Sequence, residues 1–324
     1  REVSADVFEC ASVNAAQALA NWSSSRKGSP AGRAVGFPRF KTRRRDAPVF
    51  RLRAKYREGE ACAVRPTGPK ALRFPKIGEI RVRESTETLR RMLAAGRFHA
   101  YAASFRFDRG RWIVSVTGVA APLHPARRSP GGRHTARVGV DLGVKTLAVA
   151  ADEHGVVLHA WEGVKALKHA QARLKLAGQA FARTKRGSAG RAKAARRLGK
   201  IHARVARLRA ALLHEITTTL ARGYVSVTVE DLNAAGMLAN RSLARHVSDA
   251  AFGELRRQLA YKAAWYGTDL VVADRWYPSS KTCSGCGSVK ADLPLGVRVY
   301  RCDGPGGCGL VLDRDVNAAV NLAR

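Results

Sequence analysis

An acidic residue within an apolar strand constrains the fold of this chain more than any other feature. The segment Val138-Gly139-Val140-Asp141 has the composition of a buried strand, and two short strands are predicted after it, at Thr146 to Ala151 and Val156 to Ala160. A carboxylate inside an apolar strand costs folding free energy unless it is paired or bound to a metal ion. The sequence therefore predicts an α/β domain in which the charge of Asp141 is neutralised.

Two further acids stand at ends of predicted elements. Glu230 ends the apolar strand Val225 to Val229, and Asp315 falls in the first turn of the helix predicted from Leu312 to Leu322. If these elements are neighbours, three carboxylates converge and repel one another unless divalent cations neutralise them. Oxygen ligands suit Mg²⁺ or Mn²⁺. Two such ions about 4 Å apart activate a water and stabilise the leaving oxygen of a phosphodiester.

Each acid also has an ordinary structural explanation. Asp315, or Asp313 before it, is accounted for by helix capping, and Glu230 by its position at a strand end. Asp231 is an alternative to Glu230, and Asp313 to Asp315. Because successive strand residues point to opposite faces, only one of Glu230 and Asp231 can point inward.

Four of the six cysteines are clustered. Cys283 and Cys286 form one pair, and Cys302 and Cys308 form a second pair widened to five intervening residues. This is a zinc-ribbon pattern, and four thiolates close the tetrahedral site, so the predicted Zn²⁺ is structural. The clustering also favours a reducing, intracellular setting. The isolated Cys10 and Cys62 are expected to be core or surface thiols.

The charge of the chain points to a polyanionic partner. Its 324 residues contain 58 Lys and Arg against 25 Asp and Glu, a net charge of +33, and nucleic acid is the first candidate. Residues 163–214 contain 15 Lys and Arg and no acid. No stretch approaches the roughly 18 apolar residues of a membrane-spanning helix, and no signal peptide is evident. We therefore expect a cytoplasmic, nucleoid-associated protein with no membrane partner.

The order of predicted elements divides the chain into four parts. Residues 1–136 form a basic, β-rich lobe that ends in a linker at 120–136, and 137–274 form the α/β core with a basic helical hairpin at 163–222. Residues 275–311 form the zinc ribbon and 312–324 the final helix. In the first lobe, a short helix is predicted at 11–22 and a strand from Pro48 to Arg53. A β-hairpin is predicted there from Phe98 to Phe107 and Trp112 to Val119, with its turn at Asp108-Arg109-Gly110-Arg111. In the core, a helix is predicted from Val247 to Tyr266 and a strand from Thr268 to Ala273.

Helical spacing of apolar residues predicts the hairpin. The two runs are broken at Thr184 to Gly190, which indicates one packed and one basic face. The predicted packed residues are Leu167, Leu174, Phe181, Leu198, Ile201, Val205, Leu208 and Leu212. A solvated charged surface is the alternative, and the lack of compensating acids favours a surface that faces phosphates.

Taken together, the motifs resemble the TnpB family, transposon-encoded RNA-guided nucleases related to the miniature type V CRISPR effectors and long labelled probable transposases. The segments that carry the resemblance are Gly36-Phe37-Pro38-Arg39-Phe40-Lys41, Gly139-Val140-Asp141-Leu142-Gly143, Val229-Glu230-Asp231-Leu232-Asn233, Pro278-Ser279-Ser280-Lys281-Thr282-Cys283-Ser284-Gly285-Cys286-Gly287 and Asp313-Arg314-Asp315-Val316-Asn317-Ala318-Ala319-Val320-Asn321-Leu322. They span nearly the whole chain in the order of the family.

The resemblance implies an RNase H-like (RuvC) core with Asp141, Glu230 and Asp315 as catalytic carboxylates, and a wedge-like β-barrel lobe before it. It also implies a guide RNA copied from the transposon end, a DNA target and a short motif beside that target, with base pairing supplying sequence specificity. Basic residues expected to contact nucleic acid are Arg39, Lys41, Arg43, Arg44, Arg45, Lys185, Arg186, Arg196, Arg197 and Lys281.

The expected function is an RNA-guided, Mg²⁺-dependent DNA endonuclease. The chain begins with Arg1 instead of Met and lacks the usual opening strand of the family, so a truncated amino-terminal lobe is expected. The alternatives are a guided DNA binder that does not cleave and an inactive remnant of a mobile element. A strand transferase is a weaker alternative, because no site for an attacking strand end is identifiable.

Overall fold

The chain forms two compact units, Arg1–Ala121 and Pro122–Arg324. The computed structural model describes residues 5–28, 34–42, 46–54, 62–108, 110–121, 134–294, 296–304 and 306–324. Outside these ranges lie Arg43, Arg44 and Arg45, Arg109 of the hairpin turn, and most of the predicted linker. Within these ranges, each helix is either too short or too polar to span a lipid bilayer.

The first unit is rich in antiparallel strands. Its elements are α1 (Ala5–Arg26), β1 (Val49–Arg53), β2 (Arg65–Gly68), β3 (Ala71–Phe74), β4 (Gly78–Arg81), α2 (Glu87–Ala94), β5 (Phe98–Asp108) and β6 (Arg111–Ala120). One three-stranded sheet has the order β1-β5-β6 and the other the order β2-β3-β4. The predicted strand and hairpin are confirmed, whereas the predicted short helix is wrong in length, since α1 has 22 residues.

The second unit combines a mixed sheet with helices. Its elements are β7 (His134–Asp141), β8 (Thr146–Ala151), β9 (Val157–Glu162), α3 (Ala166–Ala182), α4 (Ala189–Gly223), β10 (Tyr224–Glu230), α5 (Ala234–Ala239), α6 (Ala244–Ala250), α7 (Phe252–Tyr266), β11 (Asp269–Ala273), β12 (Val299–Arg301), β13 (Val311–Asp313) and α8 (Arg314–Ala323). The mixed α/β class predicted from the sequence is therefore observed.

The five-stranded sheet has the order β11-β10-β7-β8-β9. Strand β8 pairs antiparallel with β7 and with β9, while β10 pairs parallel with both β7 and β11. The β-rich segment 134–162 can pair through short turns because its pairs are antiparallel. The parallel β10 requires a long crossover, which α3 and α4 provide.

The two faces of this sheet pack differently. Val138 and Val140 are fully buried in the main core, which also contains Ile216 and Leu220 of α4 and Leu255 of α7. A smaller cluster contains Val149, Ala151, Ala319 and Val320, so α8 packs near β8. Because side chains alternate along a strand, Val138 and Val140 point away from the face to which Gly139 and Asp141 belong.

The helix predicted from Val247 to Tyr266 is observed, but it is not continuous, because the structure divides it into α6 and α7 at Ala251. This residue has φ +55°, in the left-handed region that ends a helix. The break lets Asp249, near the end of α6, accept hydrogen bonds from Leu167 N at 2.8 Å and Lys168 N at 3.1 Å while Phe252 enters the core. Local periodicity does not reveal such a requirement.

The predicted helical hairpin is confirmed as α3 and α4. Ala166, Ala170 and Val205 are buried between the two helices, and partly buried Leu167, Leu174 and Ile201 pack against them. The prediction that Leu208 belongs to the packed face is wrong, because this residue is 44% exposed. Asp249 fixes the base of the hairpin by also accepting from Arg209 of α4 at 2.8 Å.

Candidate functional site

Two predicted site acids stand side by side at strand ends. Strands β7 and β10 are parallel, and their register pairs Val140 with Val229, so Asp141 and Glu230 occupy the next positions. Each acid is the last residue of its strand. The fold therefore brings together at one edge of the sheet two acids that are 89 residues apart in the sequence (230 − 141).

Gly139 lets the final helix lie directly against the sheet. A Cβ atom at Gly139 would lie 2.0 Å from Ala319 O and 2.4 Å from Ala323 N, so a larger residue would push α8 away. Gly139 and Asp141 share one face of β7, and α8 packs on that face. A glycine two residues before Asp141 thus helps to bring the helix carrying Asp315 to the site.

Asp313 and Asp315 have different roles at the start of α8. Asp313 is the N-cap, and its Oδ1 accepts from Asp315 N at 2.9 Å and Val316 N at 3.3 Å. The side chain of Asp315 is instead 16% exposed, and its Oδ1 lies 3.8 Å from Arg298 Nη1. A Cβ atom at Gly143, just beyond Asp141, would lie 3.9 Å from Asp315 Oδ2.

The electrostatics agree with a cluster of three acids. Burial, followed by the charges of Glu230 and Asp315, raises the pKa of Asp141 well above its ordinary value. Burial, followed by the charge of Asp313, also raises the pKa of Asp315, whereas Arg298 acts in the opposite direction. Among the described residues, the four cysteines are the group whose side chains are arranged to hold a metal ion without any rearrangement.

Ser279 is a further residue of the site, with a role that no sequence pattern predicted, because its hydroxyl donates a hydrogen bond to Glu230 Oε1. Asp231, the alternative to Glu230, binds two arginines instead. Its Oδ2 accepts from Arg275 Nη2 at 2.6 Å and its Oδ1 from Arg256 Nη1. These hydrogen bonds, that of Arg275 first, lower the pKa of Asp231.

The four cysteines form a second, compact group. Their Sγ atoms all lie within 4.8 Å of one another, with Cys283 to Cys308 and Cys286 to Cys302 each at 3.6 Å. A hydrogen bond with the Ser288 side chain helps to lower the pKa of Cys286 to about 6, whereas the pKa of Cys302 is raised to about 12, in part by burial and by its hydrogen bonds with the other thiols. The thiolate is the form of cysteine that binds metal. This set of ligands could bind Zn²⁺.

Glycines accommodate the widened second cysteine pair. Gly306 and Gly309 adopt φ +73° and +75°, and a Cβ atom at Gly307 would lie 2.6 Å from Cys302 O. In the first pair, a Cβ atom at Gly285 would lie 3.0 Å from Cys308 Sγ. The longer spacing therefore still brings Cys308 to the other thiols.

Two asparagines of α8 connect the cysteine group to the sheet. Asn321 Nδ2 donates to Ser279 O at 2.7 Å and to Thr282 O at 2.6 Å, and Asn317 Nδ2 donates to Thr282 O at 2.7 Å. Asn317 Oδ1 also accepts from Ser284 N at 2.9 Å. The helix that carries Asp315 thus also holds the segment that carries Ser279 and Cys283. Their spacing of four residues was the available signal, since it places both on one helix face.

The predicted nucleic-acid residues that are described differ in environment. Arg39, Lys41, Lys185, Arg186, Arg196 and Arg197 are exposed. Lys281 is partly buried and donates to Ala291 O at 2.9 Å, so its ammonium group is engaged within the ribbon. Phe40, between Arg39 and Lys41, is 95% exposed.

Comparison with known proteins finds two matching family models. The model described as "Probable transposase" matches residues 124–241, and the model described as "Cas12f1-like, TNB domain" matches residues 252–322. The solved "Cryo-EM structure of CRISPR-Cas12f Ternary Complex" covers 81% of this chain and 51% of its own chain, at 17% identity and a TM-score of 0.43.

Curated relatives cover most of the chain. A Mycobacterium tuberculosis (strain ATCC 25618 / H37Rv) protein named "Putative RNA-guided DNA endonuclease" is 38% identical over 333 residues, covering 100% of this chain and 68% of the relative. A Streptomyces pristinaespiralis protein with that name is 37% identical over 292 residues, covering 88% of this chain and 64% of the relative. The chain therefore spans about two thirds of the length of these relatives.

The fold and site define a mixed α/β protein in which a four-cysteine ribbon is attached to the acid-bearing edge of a sheet. The chain belongs to the TnpB family, whose members include proteins named probable transposase and putative RNA-guided DNA endonuclease.

Proposed function

We propose that the chain is an RNA-guided, divalent-metal-dependent DNA endonuclease associated with an insertion-sequence transposon. The convergence of Asp141, Glu230 and Asp315 at one edge of the sheet carries this proposal. The names of the curated relatives support the same activity.

The order of the strands supports an RNase H-like core. The second strand of the unit lies between the first and third and runs antiparallel to both, while the fourth and fifth extend the sheet from the other side of the first. This order brings the ends of β7 and β10 together. It agrees with the core that the family resemblance implies.

The donor set of the three acids fits a hard divalent cation. Asp141, Glu230 and Asp315 offer only carboxylate oxygens, and the raised pKa of Asp141 reflects burial and repulsion that a cation would relieve. Mg²⁺ or Mn²⁺ held by these three carboxylates would supply an activated water and would neutralise charge on the phosphodiester.

The surrounding residues hold these acids in place. Ser279 orients Glu230 by a hydrogen bond, and Asp313 caps the helix whose first turn presents Asp315. Gly139 permits the close packing of that helix. We assign Cys283, Cys286, Cys302 and Cys308 to a structural Zn²⁺, because four thiolates leave no open coordination position.

The exposed basic residues of α4 support a polyanionic partner. Arg196 and Arg197 lie on a helical hairpin without acids between residues 163 and 214. We propose that guide RNA and target DNA bind this surface through their phosphates, while base pairing selects the sequence.

The test is cleavage of a matched DNA duplex by protein purified with RNA expressed from its transposon end. Cleavage should require Mg²⁺, stop with a chelator and disappear in Asp141→Asn with RNA binding retained. Asp292→Asn is the matched control, because Asp292 is exposed and lies outside the acid cluster. Equal cleavage by Asp141→Asn would refute the site, and RNA-dependent binding without cleavage by the unmodified chain would identify a guided DNA binder.

A further inference from the structure

Trp276 is the most exposed tryptophan of the chain, with 84% of its surface in solvent. Within the described ranges, its indole has neither a hydrogen-bond partner nor a ring contact. Burial of a large apolar side chain is what gives it a role in folding, so an indole left in water contributes little to stability. Its position therefore suggests a partner outside the chain.

The loop that carries Trp276 is fixed on both sides. Trp276 N donates to Asp274 Oδ1 at 2.8 Å, and Tyr277 N donates to Asp274 O at 3.0 Å. The Tyr277 hydroxyl donates to Asn321 O at 3.2 Å, and Ser279 is bound to Glu230. A partner that stacks on the indole thus meets a preorganised loop, which lowers the entropic cost of binding.

Two guanidinium groups lie next to this loop. Arg275, the neighbour of Trp276, and Arg256 of α7 bind opposite oxygens of Asp231. Their side chains remain 47% and 51% exposed. Each guanidinium has five N–H donors, so donors remain after the contact with Asp231. Asp231 stays ionised because both arginines lower its pKa, and the group carries a net positive charge.

The arginines also line a groove that contains a candidate catalytic acid. The groove has a volume of about 320 Å³, and Arg256, Arg275 and Glu230 line it together with the apolar side chains of Leu142 and Phe252. A groove that combines guanidinium donors with an apolar wall suits a ligand with both a phosphate and an aromatic part.

We propose that Trp276, Arg275 and Arg256 form a subsite for one unpaired nucleotide of the strand being cut. Trp276 stacks on the base, and the two arginines bind the adjacent phosphate. The base must be unpaired, because both faces of a base inside a duplex are already covered by its neighbours. This inference rests on the proposed function and specifies the form in which the nucleic acid reaches the acids.

The test compares binding of two short single strands by the full chain in chelator. One strand is a labelled dA4 oligonucleotide, and the other has the same sugar-phosphate chain without bases. Stacking on an aromatic side chain changes affinity by about 5- to 150-fold. We expect Trp276→Ala to lose affinity for dA4 in this range and to bind the abasic strand like the unmodified chain. Trp276→Phe should recover most of the loss.

Two further variants test whether the base and the phosphate are bound by different residues. Trp265→Ala is the matched control, because Trp265 is 49% exposed and lies on α7. It should bind both strands like the unmodified chain. Arg275→Ala should weaken binding of both strands equally and reduce the salt dependence by about 0.7 in logarithmic slope.

Equal effects of Trp276→Ala on the two strands, or no effect on dA4, would overturn the subsite. The binding measurement does not require cleavage. A base-dependent loss in a chain that never cuts DNA would leave the subsite intact and refute the proposed function. Cleavage by the unmodified chain, together with binding that does not depend on the bases, would support the proposed function and refute the subsite.

Discussion

The cysteine group and the acid cluster of the second unit are assembled by different routes. The four cysteines lie between residues 283 and 308, and their sulfur atoms all lie within 4.8 Å. The three acids lie between residues 141 and 315 and come together only because two strands and a helix pack at one edge of a sheet. A substitution in the cysteine group should therefore disturb only the residues around it. The acid cluster should be disturbed by any change in the packing of the strands and the helix that bring the acids together.

Removing one ligand of the local site should give the largest effect. We expect Cys283→Ser to lose bound zinc, because apparent binding free energies of structural zinc sites reach about 10–16 kcal/mol. Amide hydrogen exchange should rise in residues 279–313 and change little in β7 and β10. Metal analysis and exchange measurements check this. Cys62→Ser should keep its zinc, and loss of structure throughout the second unit of Cys283→Ser would contradict the local route.

Replacing Gly139 by a larger residue should disrupt the packing of α8 that brings the three acids together. We expect Gly139→Val to cost about 3 kcal/mol or more in unfolding free energy, because its Cβ atom would collide with the backbone of α8. Cleavage should be lost while zinc remains bound. Urea unfolding and metal analysis measure both effects. Gly253→Ala is the control, since nothing lies within 4 Å of its added Cβ, and it should change stability by less than about 1 kcal/mol.

Asn321 offers a way to separate the two centres. We expect Asn321→Ala to cost about 2 kcal/mol, because the carbonyl of Ser279 loses its side-chain donor and the carbonyl of Thr282 keeps only that of Asn317. Zinc should remain, and cleavage should fall as Ser279 loses its fixed position beside Glu230. Thermal unfolding and cleavage rates measure this. Asn14→Ala, on the exposed surface of α1, should match the unmodified chain, and unchanged cleavage by Asn321→Ala would show that the two centres are independent.

The smallest predicted effect is a gain in the free energy of unfolding, whereas the preceding substitutions lower it. Without divalent metal, Asp141→Asn should raise the free energy of unfolding at pH 7.5, because the substitution removes a buried, repelled charge. The folded pKa of Asp141 is raised, so the unmodified chain loses stability as pH rises from the unfolded value through that folded pKa. The gain should therefore disappear below about pH 4. Chemical unfolding across pH in chelator measures it, and a gain that persists in acid would exclude the assigned cause.

Local patterns predicted much of the second unit. The alternation and composition of residues 138–160 predicted three strands, and the spacing of Leu167, Leu174 and Ile201 predicted the helical hairpin. These signals depend only on neighbouring residues and on which face is buried. The cysteine spacing is equally local, and the four thiols do meet.

Features that depend on distant partners were missed. The break at Ala251 accompanies the contacts of Asp249 with the first turn of α3 and with Arg209 of α4. The roles of Asn317 and Asn321 depend on backbone carbonyls more than 30 residues away in the chain. No periodicity encodes such contacts, and the same is true of the hydroxyl that Ser279 directs to Glu230.

The carboxylate of Asp249 also holds the base of the basic hairpin in one position. It joins the beginning of α3 to α4 near the sheet, and α3 then extends 17 residues, or about 25 Å, before the turn at Lys185 and Arg186. The length of α3 therefore sets how far the turn lies from the contacts of Asp249. Inserting or deleting one helical turn in both helices would change the distance between the outermost positive charges of the hairpin and the acid-bearing edge of the sheet by about 5.4 Å, and would leave that edge unchanged.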